Sequence, residues 1–212
     1  YNNNLLYHGC IPLNEDGSFK SVKIYGRSYK GKALYEVLES YVRKGFYAID
    51  EKERKRGKDM MWYIWLNENS PLFGKDKMAT FERYFLAEKE THKEKKNPYY
   101  DFLENDKVVD RILKEFGLEH SFSHIINGHM PVKSKNGENP MKCGGKVFVI
   151  DGGFSRAYQK QTGIAGYTLI YNSYGMILSA HEPFESKESA IENETDIHYI
   201  TICRIFGEML CR

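Results

Sequence analysis

The sequence has few cysteines and no pattern among them. Cys10, Cys143, Cys203 and Cys211 form no Cys-x-x-Cys pair and no short regular spacing, which argues against a zinc ribbon or a disulfide framework. Reduced thiols in a cytoplasmic protein are the expectation. Charge of one sign is lacking too. Lysine and arginine number 31 against 29 aspartates and glutamates, a net charge of +2, so no nucleic-acid partner is expected from bulk electrostatics. No apolar run approaches the roughly 20 residues that cross a bilayer, so no membrane partner is expected. There is no internal repeat, no low-complexity stretch and no His-Glu-x-x-His. The chain opens on Tyr1 without an initiator methionine or a signal peptide and runs straight into a strand-like segment. The expectation is a piece of a longer protein.

What is there suffices for a core. At 212 residues, 41% of them hydrophobic, the chain makes one domain or one domain with a large insert. Residues 5–12 read as a buried strand ending in His8-Gly9, and 21–25 as a short strand followed by a loop at 26–31. Leu34, Val37, Leu38, Tyr41 and Val42 recur at helical spacing from Lys32 to about Phe46, with Gly45 as a stop signal. A second helix is expected from Glu51 to Leu66. Its charged first half reads as a solvated face rather than a phosphate patch, and the dense block Met60–Leu66 as core. Residues 104–116 make an amphipathic helix, with Val108, Val109, Ile112, Leu113 and Phe116 inward. Strands are expected at 122–127, 146–151, 165–172, 175–181 and about 195–205, the middle pair as a hairpin turning at Asn172–Gly175. The fold class is α/β. Residues 1–29 and 117–212 are expected to be β-rich, and 30–116 a mainly helical insertion between parts of one sheet system.

Three strand-like runs end on a polar residue and a glycine turn: His8-Gly9, Gly128-His129 and Asp151-Gly152-Gly153. A lone histidine at a strand end is usually structural, but the same context twice suits imidazole ligands for Mn, Fe or Zn. Two histidines do not complete a site, because a hydrolytic bimetal centre also needs carboxylates. Asp151 reads either as a cap of its glycine turn or as an acceptor that orients a ligand. His124 reads as a packed side chain, and His181 is the weakest site candidate.

These residues carry a resemblance. His8-Gly9-Cys10-Ile11-Pro12 resembles the fourth signature of calcineurin-like metallophosphoesterases, and Asn127-Gly128-His129-Met130-Pro131 the fifth, with Pro131 where many members have a second histidine. Further stretches closely resemble class III fructose-1,6-bisphosphatases of Firmicutes and related bacteria: Ser70–Phe85, Lys96–Tyr100, Gly128–Lys133, Val149–Ser155 and Thr162–Ser173. The likeness runs from about residue 1 to about 196 and lapses in the tail after about Ile197. It implies the C-terminal part of a metallophosphoesterase β-sandwich flanked by helices. It implies hydrolysis of fructose 1,6-bisphosphate to fructose 6-phosphate, a step of gluconeogenesis, assisted by two divalent ions, manganese, that polarise the reacting phosphate and activate water for in-line attack.

By the family pattern His8 and His129 bind one metal. The signatures DxH, GDxxDRG and GNHD, with the catalytic residues, are expected upstream of Tyr1, so this chain alone is expected to be inactive. The substrate's second phosphate calls for cations away from the metals, and Lys75, Lys77, Arg83, Lys133 and Arg156 are the candidates. Self-association as a homo-oligomer is expected to cover an exposed apolar face. The alternatives are a phosphoprotein or dinucleotide polyphosphate phosphatase of the same superfamily, or a non-catalytic binding module on the same scaffold.

Overall fold

A computed structural model describes residues 1–119, 122–152, 154–172, 175–182, 186–194 and 197–203. In chain order its elements are β1 (Asn4–Leu6), β2 (Val22–Ile24), β3 (Arg27–Tyr29), α1 (Gly31–Tyr47), α2 (Glu51–Leu66), α3 (Thr80–Phe85), α4 (Asp106–Glu115), β4 (His124–Asn127), β5 (Met141–Lys142), β6 (Val147–Val149), α5 (Arg156–Thr162), β7 (Gly166–Asn172), β8 (Gly175–His181), α6 (Lys187–Glu192) and β9 (Ile197–Cys203), with short 3-10 turns between some of them. The fold is mixed α/β, with helices and several sheets. Two compact units divide it: Tyr1–Tyr7 with Leu118–Arg212, and His8–Gly117.

The first unit holds a four-stranded sheet in the order β1-β4-β6-β5 and a three-stranded sheet β7-β8-β9. β1, β4 and β6 are parallel, with Leu6 opposite Ile126 and Ile126 opposite Phe148. Parallel strands need a long crossover, and here the whole second unit lies between β1 and β4 in the chain. Successive side chains of a strand face opposite ways, so Ile126 and Phe148 share one face. They meet Met176 and Leu169 of the second sheet in one apolar cluster. That cluster leaves a cavity of about 380 Å³ beside the β1 edge, walled by Leu6, Ile126, Ile150, Leu169 and Met176 among others.

In the second unit, Val22 and Ile24 share a core with Leu34, Leu38 and Met60. The expected boundary at residue 30 therefore falls at His8 instead, because β2 packs with the helices. The loop expected at 26–31 contains β3. Its hairpin turn is two residues, Tyr25 and Gly26, both at positive φ (+45° and +84°), the twist that suits a tight hairpin. The Asp50 carboxylate caps α2 by accepting from the Glu53 N–H at 2.9 Å. Gly45 does not stop α1. It lies inside the helix, where a Cβ on Gly57 would stand 2.1 Å from the Gly45 nitrogen, so the pair lets two helix backbones touch.

The block Met60–Leu66 is only partly core. Met60 is buried and Tyr63 and Ile64 are half-buried, but Met61, Trp62, Trp65 and Leu66 are exposed. Seven consecutive residues on a helix point all round it, and one neighbour cannot cover them all. The Trp62 and Trp65 rings lie 5.4 Å apart.

The amphipathic helix is α4, with Val108, Val109, Ile112 and Leu113 buried. Phe116 follows it, edge-on to Tyr35. β1 is shorter than the expected strand 5–12, because the residues from His8 on belong to the second unit. α5 and α6, which fall between the expected strands, were not expected. The tip of the β7–β8 hairpin at Ser173-Tyr174, Gly153 and the tail from residue 204 lie outside the described residues.

Two stability outcomes are expected. Gly57→Ala forces α1 and α2 apart and costs about 2 kcal/mol, read as a lower urea midpoint. His124 donates through Nδ1 to the Asn4 side-chain oxygen at 3.0 Å, and burial depresses its basicity. The unfolded chain takes up that proton more readily, so stability present above about pH 6.5 declines as pH falls through that range. Urea midpoints at pH 7.5 and 5.5 check this, and the drop should shrink in His124→Gln.

Candidate functional site

Because β1, β4 and β6 run parallel and in register, their carboxyl ends lie side by side. In open sheets of this kind, site residues gather just outside those ends. Each strand is followed, two residues past its end at Leu6, Asn127 or Val149, by a polar residue: His8, His129 or Asp151.

His129 has unusual backbone geometry. Its φ is +68°, and the Met130 N–H donates to the Gly128 carbonyl at 2.8 Å across it, which makes a three-residue γ-turn. A side chain other than glycine in that conformation stores strain on the order of 1–3 kcal/mol. The surroundings hold it. Asn127 is buried, and the Val132 N–H donates to the Asp151 carbonyl at 2.7 Å, tying the strap after His129 to the segment after β6. That segment is itself fixed, since a Cβ on Gly152 would stand 2.5 Å from the Gly166 Cα. His181, opposite Gly166 on β8, bonds Thr168 Oγ1 through Nε2 at 2.7 Å and lies against the Phe154 ring.

His8 is exposed and opens the second unit. Its neighbour Gly9 is clamped. A Cβ there would stand 2.2 Å from the Pro71 carbonyl oxygen, and the Cys10 N–H donates to that same oxygen at 2.8 Å. Cys10 is fully buried, and burial pushes its thiol up to about 12, so it offers no thiolate near neutral pH. Further on, buried Asn97 accepts from the Leu13 and Tyr99 N–H groups through one side-chain oxygen.

The candidate cations separate. Lys75, Lys77 and Arg83 fall in one loop-and-helix segment of the second unit. Lys133 and Arg156, both exposed, belong to the first unit, Arg156 as the first residue of α5. Lys75 Nζ donates to Glu94 at 2.9 Å, Arg83 Nη2 lies 3.4 Å from the other Glu94 oxygen, and Lys77 Nζ donates to the Thr91 carbonyl at 2.8 Å. Glu94 also accepts from the Ala79 N–H at 2.8 Å. Burial pushes the Glu94 carboxyl up, but Lys75, the Ala79 N–H and Arg83 outweigh it, and the net shift is downward. Glu94 was missed in the sequence because it sits in the charged run from His92 to Lys96, which by composition alone reads as exposed. No local signal marks it out.

Imidazoles at His8 and His129 have the donor chemistry for a divalent metal. Among the described residues, however, no three histidine, cysteine, aspartate or glutamate side chains are grouped to hold one. The donors among the described residues do not by themselves close a metal site.

The profile of the family described as Firmicute fructose-1,6-bisphosphatase matches residues 1–206. The chain is 62% identical over 202 residues to fructose-1,6-bisphosphatase class 3 of Clostridioides difficile (strain 630), which covers 95% of this chain and 31% of that protein. It is 58% identical over 202 residues to a class 3 enzyme of Clostridium beijerinckii, covering 95% of this chain and 30% of that one. With the Clostridium acetobutylicum enzyme it shares 59% over 203 residues, again 95% and 30%. It thus spans about a third of the length of the curated relatives it matches. No solved structure matches it significantly. On the extent of the profile match and the identities of these relatives, the chain belongs to the Firmicute fructose-1,6-bisphosphatase family.

Proposed function

We propose that this chain is part of an enzyme that hydrolyses fructose 1,6-bisphosphate to fructose 6-phosphate and phosphate in the cytoplasm, on a metallophosphoesterase sandwich. The observation that carries this reading is His129, held in a strained γ-turn at the carboxyl edge of a parallel sheet. Strain of that kind persists where a side chain must be aimed, and the similarity to class 3 fructose-1,6-bisphosphatases supports phosphate-ester hydrolysis as its chemistry.

In this reading His8 and His129 present neutral imidazoles to a divalent ion, manganese, and the remaining ligands come from residues outside this chain. When bound, the ion supplies Lewis acidity toward a phosphoryl oxygen. Asp151 steadies the His129 turn through its backbone tie to Val132. Lys75 and Arg83 hold the phosphate that does not react, while Lys133 and Arg156 offer a second candidate pair in the first unit.

Three outcomes test the reading. The isolated 212-residue chain, supplied with manganese, should release no phosphate from fructose 1,6-bisphosphate. The full-length polypeptide should turn it over, and His8→Ala or His129→Ala should each lower kcat/KM by roughly 100-fold or more. His129→Gly should be as inactive as His129→Ala yet more stable than it by about 1 kcal/mol, because glycine accepts positive φ without strain. Full activity in either histidine variant sinks the proposal.

A further inference from the structure

The clamp on Gly9 and the cations around Glu94 belong to one continuous segment. From Pro71, whose carbonyl meets Gly9 and Cys10, the chain makes a single turn closed by the Gly74 N–H on the Ser70 carbonyl at 3.3 Å, and Lys75 follows directly. One such turn advances about 5–6 Å. Lys75 therefore starts only a short step from the strap that begins with His8, inside the same unit. The segment is closed by backbone bonds from Asp76 to the Lys95 carbonyl and from Asn97 to the Gly74 carbonyl, both 2.9 Å.

Two cations converge here on one carboxylate. Lys75 and Glu94 side chains are each only 19% exposed, and the Lys75 ammonium also lies 5.8 Å from the centre of the Phe73 ring. Nearby carboxylates have other partners: Asp76 accepts from the Lys95 N–H, and Glu90 pairs with Lys93. Glu94 leaves donor capacity on the cations it holds. Lys75 has three N–H groups and gives one to Glu94. Arg83 uses Nη2 toward Glu94 and the His92 carbonyl, which leaves Nε and Nη1 of its fork. Lysine and arginine each lose up to about 2 kcal/mol of side-chain freedom when fixed by a ligand. Here Glu94 has fixed them beforehand.

We infer that Glu94 is a positioning residue that pre-orders Lys75 and Arg83 to seat the non-reacting phosphate of a sugar bisphosphate, and so discriminates bisphosphates from monophosphates. This rests on the hydrolase reading above.

The test uses the full-length enzyme with manganese, steady-state kinetics on fructose 1,6-bisphosphate and on p-nitrophenyl phosphate, and melting curves as a check of folding. Glu94→Gln keeps an oxygen for the Ala79 N–H but loses the charge that holds the cations. It should raise KM for the bisphosphate about tenfold, change kcat less than twofold, and move p-nitrophenyl phosphate kinetics little. Lys75→Met should show the same split, and Lys93→Ala, which alters a neighbouring exposed charge, should show none. An unchanged bisphosphate KM in both Glu94→Gln and Lys75→Met overturns the inference. So does an equal loss on both substrates, which is what a purely structural role for the loop produces. A wild-type enzyme active on p-nitrophenyl phosphate but not on fructose 1,6-bisphosphate overturns the hydrolase reading itself.

Discussion

The parallel, in-register pairing of β1 with β4 is the constraint on which the first unit depends. Three residues of β1 meet strand β4 across a sequence separation of 120 residues, as in the bond between His124 and Asn4. So short a strand contributes few ladder bonds, and its register sets where the next segment begins. A slip by one residue turns every β1 side chain to the opposite face and moves the start of the strap at His8 relative to β4. The entropy of closing a flexible connection grows only slowly with its length, about 0.6 kcal/mol per doubling. A connection that folds as its own compact unit, as His8–Gly117 does, is more readily tolerated still.

Much of this was legible in the sequence where a single physical period governs. α1 and α4 followed from apolar residues at helical spacing, and the structure adds the caps, Asp50 on α2 and Asn105 on α4. The strands β4, β6, β7 and β8 announced themselves as short apolar runs. The features that stayed hidden were set by partners distant in sequence. Gly45 looked like a helix stop, yet its reason for being glycine is Gly57 on the next helix. β3 looked like a loop because two positive-φ residues and three polar ones carry no apolar pattern. The strand-end positions of His8, His129 and Asp151 could be read from their contexts. The strain at His129 could not, since nothing in Gly-His-Met-Pro specifies φ. Glu94 was invisible for the opposite reason: its neighbours are all charged, and only the fold selects which carboxylate turns inward.

Backbone-to-backbone approach recurs at the places that fix side chains. Gly9 meets the Pro71 carbonyl, Gly152 meets Gly166, and Gly57 meets Gly45. Each contact is closer than any Cβ permits, so each locates a segment tightly without using a side chain. Two of the three directly adjoin His8 or Asp151. Precision there is supplied by the absence of atoms.

Both tryptophans of the protein, Trp62 and Trp65, sit on α2, packed against each other and more than half exposed. The second unit thus owns the entire indole chromophore of this chain. Tryptophan emission reports the helical hairpin and the solvent or surface that meets it. Unfolding followed by that emission and unfolding followed by amide hydrogen exchange in β4 and β6 therefore watch different parts of one molecule. Their agreement or disagreement is itself a measure of how strongly the two units are coupled.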